Sequence, residues 1–188
     1  MNSGSSVPSG GASLLRSQNP QAGSSSVEIA ALEEGDILLR RGRGFVSSAI
    51  ASVSRHGVSH CGVVVKEDGR WLVVHSISGH ISDQDGIRAN TPEEFIQEAL
   101  PGSLYHLKPR LRVDRAAIAS RCKELLKQGA GFDHNFNLED ENKLYCSELI
   151  RCVYLHGGMP DRFSYSYPGG KKIIDMNSFF DPELFQIQ

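Results

Sequence analysis

Long apolar runs are missing from this chain of 188 residues. Nothing approaches the ~20 consecutive apolar residues of a membrane-spanning helix, so no transmembrane segment is expected. A basic stretch followed by an apolar core is missing too, so no secretory signal is expected. Neither sign of charge is in excess: the formal net charge is -2, which gives no reason to expect nucleic acid as a partner. Cysteine is sparse. The four are Cys61, Cys122, Cys146 and Cys152, and none stands in a C-x-x-C pair. That removes the common zinc-site spacings and makes a disulfide framework unexpected. Cys122 and Cys152 lie in apolar helical patterns and read as core. No metal or organic cofactor is expected, and no internal repeat is visible. The compartment expected is the cytoplasm, or the exterior reached by a signal-independent route.

Residues 1–26 are rich in Ser, Gly, Pro, Asn and Gln and poor in apolar side chains. Such a segment buries too little surface to offset its ordering entropy, so a flexible polar tail is expected. Hydrophobic residues make up 39% of the whole chain, enough for one core, and residues 27–188 are expected to form a single domain.

The chemistry gathers at Leu144-Tyr145-Cys146-Ser147-Glu148-Leu149-Ile150. Leu149, Ile150, Val153 and Tyr154 recur with helical spacing, and Gly157-Gly158 ends the pattern. Cys146 therefore falls in the first turn of a helix. The unpaired N–H groups there favour a thiolate, the reactive form. Upstream, Val58 to Val65 reads as an apolar strand with His60 near its start. Lys66 to Arg70 contains the hairpin signal Asp68-Gly69, and Trp71 to His75 reads as the returning strand. Antiparallel pairing makes His60 and His75 neighbours. A cysteine at a helix start, a histidine facing it and a second group orienting that histidine form a nucleophilic site. By strand alternation Cys61 faces away from His60 and is expected to be buried.

The stretches Gly35-Asp36-Ile37-Leu38-Leu39-Arg40, Ser59-His60-Cys61-Gly62-Val63-Val64-Val65, Val73-Val74-His75-Ser76 and Leu144 to Ile150 together resemble the NlpC-like branch of papain-fold cysteine hydrolases. The order of these pieces is similar to the circularly permuted members, of the YiiX and YaeF type. In unpermuted relatives the cysteine helix precedes the histidine strands. The resemblance spans roughly Glu33 to Gly158. It implies Cys146 as nucleophile, His60 as general base and His75 as the orienting third residue. Many permuted relatives carry a carboxylate at that third position, where this chain has histidine.

The other elements read in order as a strand at Ile37 to Arg40, a short helix within Phe45 to Ser54, and a strand or loop within Ser76 to Ala89. A helix follows from Pro92, capped by Thr91. Then come a strand at Leu104 to Leu107, a helix from Arg115 to Gln128 capped by Asp114, and a strand at Phe132 to Phe136. The segment after Gly158 reads as an aromatic loop. This gives an α+β domain with a mostly antiparallel sheet and packed helices, which agrees with the permuted papain-like fold that the resemblance implies. Tyr145 reads either as a wall of the substrate pocket or as a core aromatic. Glu148 reads as a complement to the helix dipole. Arg40, Arg41 and Arg43 read as a solvated turn or as a site for an acidic group.

Three functions remain open. The first is a cysteine amidase or peptidase acting on peptidoglycan peptide stems; this includes a secreted antibacterial effector with an immunity protein as partner. The second is a lipid- or thioester-directed acyl hydrolase or acyltransferase of the lecithin:retinol acyltransferase type. The third is a non-catalytic binding module.

Overall fold

The computed structural model describes Met1 and residues 27–188 except Gly44, Ile81, Ser82 and Gln84, and it leaves aside the side chains of residues 45–47. The tail expected over residues 1–26 lies, apart from Met1, outside the described residues.

The elements follow the order β1 (Ile37–Arg40), α1 (Phe45–Val53), β2 (His60–Glu67), β3 (Arg70–Ile77), β4 (Gly86–Asn90), α2 (Pro92–Gln97), β5 (Tyr105–Pro109), α3 (Arg115–Gln128), α4 (Cys146–His156), β6 (Tyr165–Ser166), β7 (Ile173–Ile174) and β8 (Phe185–Ile187). Six strands form one sheet in the order β4-β3-β2-β1-β5-β8, while β6 and β7 make a separate two-stranded sheet. Every neighbouring pair in the large sheet is antiparallel.

The two faces of this sheet are unequal. On the larger face Cys61, Val63, Val65 and Val74 pack with Ile118, Cys122 and Leu125 of α3 and Leu149, Ile150 and Val153 of α4. On the smaller face Leu38, Val64 and Val73 pack around Phe95 of α2. The period-2 alternation of β2 sorts its side chains between the two cores. The turn joining β2 to β3 places Asp68 at φ 48° and Gly69 at φ 78°. A two-residue hairpin turn with both central φ angles positive follows the right-handed twist of its strands, and Asp-Gly tolerates it.

Helix ends follow their chemistry. Thr91 Oγ1 accepts the Glu94 amide while Glu94 Oε2 accepts the Thr91 amide, a capping box at the start of α2. Asp114 caps α3 through the Ala117 amide, and Gly129 closes that helix at φ 64°. At the start of β1 the buried Asp36 carboxylate accepts His106 Nε2 and Arg115 Nη1, each at 2.7 Å. That cluster fastens β1 to β5 and α3, at the end of β1 away from His60.

Two expectations are corrected here. Phe132 to Phe136 is not a strand: Asp133 turns back to accept the amides of Asn135 and Asn137, and Phe136 adopts φ 57°. A side chain that captures nearby amides takes them from any ladder. The segment after Gly158 is more than a loop, since β8 pairs with β5 at Leu107↔Ile187 and extends the large sheet.

Candidate active site

The site forms where the sheet comes apart. The β2–β3 ladder runs from Glu67↔Arg70 to Val63↔Val74 and stops there. Beyond it β2 keeps pairing with β1 through Leu39↔Cys61 and Arg40↔His60, while β3 keeps pairing with β4 through His75↔Arg88 and Ser76↔Ile87. The start of α4 fills the opening. Ser76 Oγ donates to the Leu144 carbonyl at 2.5 Å, and the Cys61 amide is near enough to help hold the Cys146 thiol pKa down. Gly62 keeps the two strands close, since a Cβ there would sit 2.6 Å from Val73 Cγ1 and 3.2 Å from His75 Cβ.

Cys146 is half-buried and is the first residue of α4. Its thiol is held below the ordinary range, first by a hydrogen bond from the Cys61 thiol and further by the amides of Ser147, Cys61 and Cys146 itself, against the opposing effect of burial. Cys61 moves the other way: burial in the core pushes its thiol well up, so it remains a donor. Alternation does turn Cys61 away from His60, but into contact with the nucleophile candidate rather than into inert core.

On the other face, His60 Nε2 lies 2.8 Å from His75 Nδ1, and His75 Nε2 lies 2.7 Å from Asn90 Oδ1. Both imidazoles pack on Phe95, with ring centroids 5.8 Å and 5.5 Å away. Arg40 and Arg88 flank the pair, each directly across a ladder from one of the histidines. Burial, His75, Arg40 and Arg88 together hold the His60 pKa well below that of a free imidazole. His75 is held at about 4, chiefly by burial, with Arg88 and Arg40 adding to it and Asn90 opposing. Both rings are therefore neutral at physiological pH. The structure thus brings His60 and His75 into direct contact and sets Cys146 beside the Cys61 amide, one residue along from His60. Among the described residues no hydrogen bond joins the Cys146 sulfur to the His60 ring.

Tyr145 is buried, its hydroxyl accepts the Ile174 amide at 2.9 Å, and its ring packs near Phe136. This is the core-aromatic alternative. Glu148 accepts the Tyr145 amide at 3.2 Å, as a first-turn carboxyl should. Burial and the nearby Asp133 push its pKa up to about 8 against the pull of that amide. Arg40 is 4% exposed, ion-paired with Glu98 and stacked over Phe95, so it is no solvated turn. A cavity of about 120 Å³, lined by Arg121, Leu144, Glu148, Arg151 and Cys152 among others, lies along a different stripe of α4 and does not include the Cys–His cluster. Among the described residues no three His, Cys, Asp or Glu side chains gather to hold a metal ion, and no helix is long and apolar enough to cross a membrane.

Sequence reasoning missed Asn90 and the Cys61–Cys146 contact. Asn90 could have been noticed as the residue before the Thr91 cap, on the strand beside His75. The Cys61 contact carried no signal, because nothing local announces that two paired strands separate.

Residues 31–166 match the family of permuted papain-like amidase enzymes, YaeF/YiiX, C92 family. No curated protein matches. Among solved structures the fold is similar to metalloprotein YiiX from Escherichia coli O157:H7, with a TM-score of 0.69 and 18% identity over 83% of this chain and 96% of that one. The chain belongs to the permuted papain-like amidase family, a family of cysteine amidases and peptidases.

Proposed function

Starting from that membership, we propose that the chain hydrolyses an amide bond through Cys146 as nucleophile, His60 as general base and His75 as the residue orienting His60, and that its substrate is a peptide stem of peptidoglycan. The observation that supports this chemistry is a depressed thiol at the start of α4, beside Cys61 and so one residue along β2 from a neutral, buried imidazole pair. A neutral imidazole can accept the Cys146 proton as the sulfur attacks the carbonyl carbon. The acyl-enzyme forms as the amine leaves with a proton returned by His60. Water, deprotonated by the same ring, then releases the acid and restores the thiol. Unpaired amides in the first turn of α4 supply the hydrogen bonds for the oxyanion in this mechanism. No hydrogen bond joins the two side chains in the free chain, so this mechanism requires His60 and the sulfur to come within hydrogen-bond reach when substrate binds.

Alkylation of Cys146 by iodoacetamide, followed against pH, tests the pair. The rate should stay high below the ordinary thiol pKa near 8.5 and fall in His60→Ala. An ordinary thiol profile that ignores the mutation rejects the reading. Digestion of purified peptidoglycan, read by mass spectrometry, should release fragments with wild type and none with Cys146→Ala. A rapidly alkylated enzyme that releases nothing rejects the substrate.

We assign the same chemistry to an antibacterial setting, as an effector accompanied by an immunity protein; harmless expression in a bacterial periplasm rejects that setting. One observation favours an acyl-lipid substrate instead. Helix α1, which joins β1 to β2 at the candidate site's end of the sheet, leaves Val53 78% and Ile50 37% exposed. Exposed apolar side chains beside a site suit an acyl chain.

A further inference from the structure

The two histidines can each carry their single proton on either ring nitrogen, and only one arrangement leaves His60 with a bare Nδ1, the nitrogen not engaged by His75. The surrounding hydrogen bonds select it, beginning outside the site. Glu94 Oε2 accepts the Thr91 amide at 2.8 Å and Asn90 Nδ2 at 3.1 Å. The Thr91 amide first, and Asn90 second, hold the Glu94 carboxyl below its usual range, so it is ionised and only accepts. The Asn90 amide is thereby fixed with its NH₂ toward Glu94 and its oxygen toward His75. An oxygen 2.7 Å from His75 Nε2 requires a proton on that nitrogen. His75 is neutral, so its Nδ1 is bare and accepts. His60 Nε2, 2.8 Å away, must then be the donor. His60 is neutral as well, which leaves its Nδ1 without a proton.

We propose that Asn90, locked by the α2 capping box, is a positioning residue: it sets the tautomers of His75 and His60 in sequence and so presents His60 Nδ1 as the base. Its role in catalysis rests on the reading of Cys146 and His60 given above. The chain of contacts makes a helix cap, ordinarily a stability device, part of the proton inventory of the site. Asn90 touches neither thiol nor substrate and acts only through His75.

Nitrogen-15 spectra of histidine-labelled protein at neutral pH read each tautomer directly. In the wild type both His60 and His75 should show a protonated Nε2 and a bare Nδ1. In Asn90→Ala both should become tautomer mixtures, and the rate of Cys146 alkylation should fall about tenfold or more, the upper bound being the ~10²–10⁴-fold that general-base catalysis supplies. Glu93→Gln, on the same helix turn but outside the chain of contacts, should leave spectrum and rate unchanged. A protonated Nδ1 on either ring of the wild type overturns the proposal without any variant. So does an Asn90→Ala protein with wild-type tautomers and an unchanged pH profile. The spectrum decides the role of Asn90, and the wild-type alkylation rate decides the reading of Cys146, so the two can fail separately.

Discussion

Acidification from pH 7 to pH 5 should destabilise the fold through the buried imidazoles. His75 has no solvent exposure, and its pKa is held at about 4 against 6.5 for the free group. In that window the unfolded chain binds a proton that the folded chain refuses. Unfolding therefore takes up protons, and stability falls as pH falls from the unfolded value toward the folded one. At 1.36 kcal/mol per pKa unit the loss for His75 is about 2 kcal/mol by pH 5, approaching about 3 kcal/mol near pH 4. His60 adds a loss of the same sign. Ordinary carboxylates titrate mainly below this window. Glu148, whose carboxyl is pushed up to about 8, contributes with the opposite sign in this window. Urea unfolding at pH 7, 6 and 5 is therefore read as the difference between wild type and a variant that lacks the His75 imidazole. His75→Gln removes one of the titrating groups and should lose about 2 kcal/mol less between the two extremes, whatever its stability at pH 7. Parallel losses in the two proteins would show that His75 is not held neutral, and the argument for a neutral base would fall with it.

Glu148 should act at the opposite end of the scale. Its pKa, raised from 4.5 to about 8, means that the stability of the protonated form is complete below its ordinary value and is lost as pH rises through 8. Thermal melts of wild type at pH 6 and pH 9 should therefore differ. Glu148→Gln keeps an oxygen for the Tyr145 amide and should show the smaller difference; equal drops would refute the raised pKa. Gly62→Ala places a Cβ against Val73 and His75. It should cost about 1–3 kcal/mol in urea unfolding and slow Cys146 alkylation by displacing His75; an unchanged rate would show that strand spacing does not set the histidine contact.

Much of this was legible because it is local. The period of Leu149, Ile150, Val153 and Tyr154 identified α4, and Gly157 follows its last helical residue. Asp68-Gly69 identified the hairpin that joins the two histidines' strands, and Thr91 and Asp114 marked helix starts that both carry the expected cap bonds. What escaped is non-local. Strand β8 is three residues long, too short for its alternation to be distinctive. Phe132 to Phe136 alternates like a strand, yet Asp133 takes the amides a ladder would need. Strand alternation placed Cys61 correctly but said nothing of which helix would arrive on that face. Asn90 acts only through a ring that tertiary structure brings to it.

The opening between β2 and β3 also bears on how the protein is made. The strands that carry both imidazoles are joined by a tight hairpin, whereas the bond that seats α4 in the opening, Ser76 to Leu144, spans 68 positions. Hairpins close within microseconds, and contacts between distant segments come later because loop closure must precede them. During synthesis the imidazoles leave the ribosome well before the thiol. A nascent or partly unfolded chain therefore holds the histidine hairpin before Cys146 is in place, and α4 takes its seat beside β2 only once that late contact has formed. Hydrolytic capacity in such a chain is a late readout of completed folding.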